Sequence, residues 1–141
     1  MIIQNKSRIQ ISLPWLKKKL AQIIRATKVP EIDLDLTLVS DPFIKKLNAQ
    51  YRKKNKPTDV LSFPLHEKKK ARKGNVFLGD VIISLPTARK QAKEHDVDFK
   101  EELLFLIIHG TLHLLAYDHE KSEKEAKIMQ RLEKEILQKV L

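Results

Sequence analysis

Six consecutive apolar residues, Leu103–Ile108, run directly into His109. Just upstream, Asp98-x-x-Glu101 is a capping-box pattern that marks the start of a helix. A helix that is apolar on all sides has to pass through the centre of a domain, because no face of it suits water. The rest of the fold must therefore be built around this segment. Where the apolar run stops, the helix delivers His109 and His113, one turn apart and so on one face. His119 lies too far along to share that face if the helix simply continued. It converges on the other two only if the chain stops being helical soon after His113 and folds back.

Three of the five histidines thus fall in the window His109-Gly-Thr-Leu-His113-Leu-Leu-Ala-Tyr-Asp-His119. A lone histidine on a buried helix is ordinarily a hydrogen-bonded core residue. Three in so short a stretch, just beyond an apolar run, are harder to account for that way, since an unpaired buried imidazole is costly. Two histidines from a helix and one from the following turn give three neutral nitrogen ligands and one open position. That is how a catalytic zinc is held, in contrast to a closed structural site with four protein ligands. The chain has no cysteine, so a metal must use His, Asp or Glu. Neutral three-histidine ligation suits Zn2+ best, with nickel, copper and iron as alternatives.

The flanking sequence reads as one α+β domain over residues 1–141. Its architecture is a small mixed sheet of about four strands covered by about five helices. Ile2–Gln4 and Ile9–Ile11 look like short edge-strand material. Pro14 opens a helix striped by Leu16, Leu20, Ile23 and Ile24, which Val29-Pro30 ends. Ile32–Val39 alternates apolar and polar almost strictly, the pattern of a half-buried strand. Asp41-Pro42 caps and starts a second helix with Phe43, Leu47 and Tyr51 as its stripe. A basic loop, Arg52–Pro57, leads to a strand at Thr58–Phe63, whose pairing Pro64 limits. Residues 66–75 read as a polar basic hairpin turn. Val76–Ser84 is a strand interrupted at Gly79, and Ser84 with Pro86 opens a polar helix to about His95. Ser122-x-x-Glu125 is a second capping box, and Met129, Leu132, Ile136 and Val140 stripe the last helix.

Net charge is +10, and its placement is uneven. Residues 1–70 hold 16 Lys/Arg against 6 Asp/Glu, whereas residues 71–141 hold 12 of each. Such asymmetry points to a polyanion bound by the first half, with nucleic acid the first candidate. A solubilising Lys-rich surface would carry the same signature. The N-terminus has no basic-then-apolar leader, and no apolar run approaches the roughly 18 residues of a transmembrane helix. A cytoplasmic protein with no membrane partner is expected.

The histidine spacing is that of metzincin proteases, H-E-x-x-H-x-x-G-x-x-H. Gly110 stands where those enzymes carry their general-base Glu, and Ala116 stands where they carry a turn-making glycine. Without the Glu, the usual base for activating water beside the metal is missing.

The same window closely resembles the H-G-x-L-H-L-x-G-Y-D-H signature of the YbeY family of bacterial rRNA-maturation endoribonucleases, departing only at Ala116. Asn48-x-x-x-Arg52, Pro57-Thr-Asp-Val-Leu-Ser-Phe-Pro64 and Leu78-Gly-Asp-Val-Ile-Ile-Ser84 resemble the family's other motifs, in order. The resemblance spans roughly residues 30–120. It implies a metal-dependent, single-strand-specific endoribonuclease acting in 16S rRNA 3′-end maturation and ribosome quality control. Its partners would be single-stranded RNA, the small ribosomal subunit and ribosome-associated proteins, with no DNA. His109, His113 and His119 would hold the metal, and Arg52 would be the matching catalytic arginine. Arginine suits that role because its planar fork grips phosphate bidentately. From the residues alone, Arg52 reads equally as a surface residue stabilising the carbonyls at a helix end. Lysines 53, 54, 56 and 68–70 would line a track for RNA. If Ala116 takes a positive φ, alanine costs about 1 kcal/mol relative to glycine there.

Asp118 reads either as a partner orienting an imidazole or as the cap of a turn. Asp59 and Asp80, at strand–loop boundaries, are open in the same way, and Tyr117 reads as packing. Two other functions compete with the nuclease. One is a metallohydrolase of another substrate class, such as a degenerate metzincin-like peptidase. The other is a non-enzymatic ribosome-binding factor with a structural zinc.

Overall fold

The alternation in Ile32–Val39 becomes an inner strand of a four-stranded mixed sheet. The computed structural model describes residues 1–70, 76–117 and 122–141. Their elements run β1 (Ile3–Asn5), α1 (Leu13–Ala26), β2 (Ile32–Val39), α2 (Asp41–Arg52), β3 (Val60–Lys70) and β4 (Val76–Ser84), followed by α3 (Leu85–Glu94), α4 (Phe99–Leu114) and α5 (Glu123–Val140). The strand order is β1-β2-β4-β3. β2 pairs in parallel with β1 and β4, and β3 closes one edge antiparallel to β4.

Strand alternation sends the two faces of the sheet to different cores. Leu34, Leu36 and Leu38 of β2, with Val81 and Ile83 of β4, join the apolar faces of α1, α3, α4 and α5. The other face carries a smaller cluster of Val39, Ile44 and Leu61, flanked by Leu47, Phe63 and Ile82, and is covered by α2. α4 lies at the centre of the larger core, with Leu103, Leu104, Leu106, Ile107 and Ile108 all buried. Burying each such side chain contributes about 1.5–3 kcal/mol relative to leaving it in water. The first and last helices close over it, and the Lys19 ammonium donates to the Val140 carbonyl.

Several local expectations change on folding. Ile9–Ile11 is not a strand: Asn5 and Ser7 form a local turn, with Asn5 Nδ2 donating to the Ile9 carbonyl at 2.9 Å. Ser40, not Asp41, is the N-cap of α2. The Asp41 carboxylate instead accepts from the hydroxyls of Ser84 and Thr87 at 2.5 and 2.6 Å, tying the starts of α2 and α3 together. α2 buries Ile44 and Asn48, leaving Phe43 and Tyr51 exposed. Pro64 does not end β3, because it sits in an edge strand opposite Gly79 and the ladder resumes, with a register shift, at Lys69. Gly79 has φ +139, and a Cβ there would lie 2.1 Å from the Phe63 carbonyl oxygen, so only glycine fits. Residues 66–70, expected in a turn, extend the strand, while 71–75 lie outside the described residues. Asp98 holds the N-cap position of α4 without a side-chain hydrogen bond, whereas Ser122 caps α5 by accepting from the Glu125 N–H at 3.1 Å. No helix among the described residues is long and apolar enough to cross a membrane.

Candidate metal centre

A side chain is held most closely when it stands on a rigid element packed by its neighbours, and α4, buried in the main core, is such an element. Its Gly110 faces β4, where an added Cβ would lie 2.6 Å from Val81 Cγ1 and 3.2 Å from Ser62 Oγ. The missing side chain lets helix and sheet approach closely, and Ser62 Oγ donates to the Gly110 carbonyl at 3.2 Å. Gly110 therefore has a packing reason, and the position has no room for the Glu that metzincins carry there.

His109 and His113 lie one turn apart on α4, with ring centroids 4.7 Å apart and planes at 61°. Phe105, one turn earlier, lies 6.2 Å from the His109 ring. On the other side, His109 Nδ1 is 2.8 Å from Oε2 of Glu133 on α5. With the carboxylate ionised and the ring neutral, Nδ1 would be the donor in this pair and Nε2 the acceptor nitrogen. Glu133 is buried, and with Met129, Ile136 and Val140 it forms the inward face of α5. The sequence stripe had Leu132 in that place. The overlooked signal was a carboxylate at the i+4 position between Met129 and Ile136, a site that is otherwise apolar.

Immediately past His113 the helix stops. The Ala116 N–H bonds to the His113 carbonyl at 3.0 Å and the Tyr117 N–H to the Leu112 carbonyl at 3.1 Å. Ala116 has φ +74. This pair of bonds around a left-handed residue is the Schellman ending, which glycine ordinarily occupies. The helix thus ends soon after His113, the ending that convergence of His119 on the other two would need. Asp118 and His119 lie outside the described residues. His109 and His113 have the donor type and proximity that suit a divalent transition metal. Among the described residues no group of three His, Cys, Asp or Glu is gathered into a ligand set.

Arg52 is the exposed last residue of α2, on the opposite face of the sheet from α4. β3 links the two: Phe63 meets the ring of Tyr51 edge-on at 5.1 Å, while its neighbour Ser62 holds Gly110. Beyond Arg52 the basic loop is pinned by Asn48, whose buried Nδ2 donates to the Lys56 carbonyl at 2.9 Å. Lys53 supplies the left-handed turn, with φ +57.

The aspartates resolve differently. Asp59 caps the start of β3 by accepting from the Val60 N–H at 2.7 Å. Asp80 sits opposite Asp35 across β2 and β4, and burial, reinforced by the Asp35 charge, raises its pKa above the usual carboxylate value. A cleft of about 740 Å³ lined by Lys17, Arg25, Lys28, Glu31 and Asp33 contains none of the residues singled out for chemistry.

Comparison with known proteins covers nearly the full length of the chain. A family model described as Endoribonuclease YbeY matches residues 2–141. An Endoribonuclease YbeY from Persephonella marina is 45% identical, covering 92% of this chain and 84% of that protein. One from Aquifex aeolicus is 40% identical, covering 97% and 94%. A solution structure from Thermotoga maritima superposes with a TM-score of 0.68 at 34% identity, covering 99% of this chain and 89% of the other. With a matching family model over nearly its full length, relatives of this identity and a common fold, the chain belongs to the Endoribonuclease YbeY family.

Proposed function

We propose that this protein is a zinc-dependent, single-strand-specific endoribonuclease acting in 16S rRNA 3′-end maturation and ribosome quality control. Relatives named Endoribonuclease YbeY support RNA as the substrate. The observation that carries the metal part is the His109–His113 pair, with rings 4.7 Å apart and one nitrogen of His109 engaged by a buried carboxylate. His109, His113 and His119 would hold the ion. Bound there, zinc would supply Lewis-acid polarisation of the scissile phosphate and a means of activating water.

The protein's own groups do the remainder. Arg52 stands at an exposed helix end on the other face of the sheet, so its part in the reaction rests on the family resemblance: there its planar fork would grip an RNA phosphate bidentately. Lys53, Lys54 and Lys56, on the loop pinned by Asn48, hold the RNA backbone through contacts that weaken with salt. Gly110 supplies no base, and its crowding against Val81 leaves no place for one. That crowding disfavours peptidase chemistry.

Metal analysis joined to cleavage of a single-stranded rRNA 3′-end substrate tests the reading. Wild-type protein is expected to carry one zinc per chain and to cut. His113→Ala should lose both, and full zinc occupancy in that variant would refute the three-ligand site. Arg52→Glu should keep the metal and lose cleavage. If stripping zinc under conditions that preserve the fold leaves RNA binding intact and wild-type protein never cuts, the binding-factor reading replaces this one.

A further inference from the structure

A carboxylate on the inward face of an amphipathic helix needs a reason, because burying its charge without a partner costs several kcal/mol. Glu133 is such a residue: its side chain is only 6% exposed, and its Oε2 lies 2.8 Å from His109 Nδ1. The two residues are 24 apart in sequence, on helices that pack against each other in the main core. Around the imidazole, Phe105 lies on one side along the helix and His113 on the other. The ring is thus flanked by these neighbours, with Glu133 against its Nδ1.

We propose that Glu133 is a positioning residue that fixes His109 in the Nδ1–H tautomer and presents Nε2 as the ligating nitrogen. The proposal rests on the metal-site reading above. Free imidazole offers either nitrogen, and a ligand that must first change tautomer or turn its ring binds more weakly. An acceptor-only group at Nδ1 removes both steps, and its negative charge makes Nε2 a better donor to a cation. A glutamine in its place could present either its oxygen or its NH2 to Nδ1, so it would hold the ring without dictating the tautomer.

The test uses the full chain and Zn2+ alone. Zinc affinity is measured by competition with a chromophoric chelator, and the His109 tautomer by imidazole 15N shifts of the metal-free protein. Glu133→Ala is expected to weaken zinc binding by about 10- to 100-fold. It should also move His109 away from a pure Nδ1–H state. Glu133→Gln, nearly isosteric, should keep the wild-type thermal unfolding temperature while falling between the other two in affinity, which separates positioning from loss of packing. If Glu133→Gln and Glu133→Ala both bind zinc as tightly as wild type while His113→Ala does not, Glu133 has no positioning role and the metal site stands. A wild-type protein that binds no zinc overturns the metal site and this proposal together.

Discussion

Two buried glutamates each meet a histidine along α4, and the two pairs do different things. Near the start of the helix, Glu102 Oε1 lies 2.7 Å from Nδ1 of His95, whose side chain is 57% exposed. Near its end, Glu133 Oε2 lies 2.8 Å from Nδ1 of His109, whose side chain is 21% exposed. The contact is the same and the surroundings are not. His95 is the C-cap of α3 and turns largely into water, so its pair is a clasp between two helices. His109 lies beside a second histidine and a Phe, so its pair sits where the proposed metal site would be. A histidine–carboxylate contact does not by itself identify a site. What lies beyond the ring decides.

The sharpest way to break this comparison is to disturb the bed on which His109 rests. Gly110→Glu forces side-chain atoms into Val81 and buries a charge, and should cost about 3 kcal/mol or more. A denaturant midpoint close to wild type would show that α4 is not clamped to β4 as described. Next, Glu102 leaves Oε2 buried without a hydrogen-bond partner among the described residues. Replacing it by apolar bulk in Glu102→Met should stabilise the protein at pH 8 by about 1–2 kcal/mol. Denaturant unfolding checks this, and a loss of stability would mean that the clasp matters more than the orphaned oxygen. Zinc affinity should be untouched by Glu102→Met, in contrast to Glu133→Ala.

Ala116→Gly should stabilise by about 1 kcal/mol, since glycine takes the left-handed turn after His113 without the Cβ clash. An unchanged or lower unfolding temperature would count against the Schellman ending. The smallest effect is a pH dependence. The hydrogen bond to Glu102, reinforced by that residue's charge, raises the His95 pKa above the ordinary histidine value. The stability it contributes is fully present below the unfolded-state pKa, about 6.5, and is lost as pH rises through the higher folded value. Unfolding temperatures measured across that window should fall for wild type and stay flatter for His95→Asn.

Much of this was readable before folding, where a pattern had only one structural use. Strict alternation could only make β2 a strand, and a run apolar on all sides could only make α4 central. That the helix ends soon after His113 was expected from the spacing of the histidines, although the residue at the turn, Ala116, is a poor one for a left-handed conformation. Patterns with two uses misled. On α2, hydrophobicity favoured Phe43 and Tyr51, but the fold turned Ile44 and Asn48 inward, partly because Asn48 must reach the Lys56 carbonyl. The carboxylate on the apolar stripe of α5 marked Glu133, but its histidine partner is on another helix, and periodicity reads one helix at a time.

The position of Glu133 in chain order also sets a clock. A ribosome adding about 5–20 residues per second makes His109 roughly one to five seconds before Glu133, 24 residues later. Through that interval the apolar flank of α4 lacks the helix that will cover it, and His109 lacks its carboxylate partner. In a nascent chain, α4 is therefore made before the helix that packs against it.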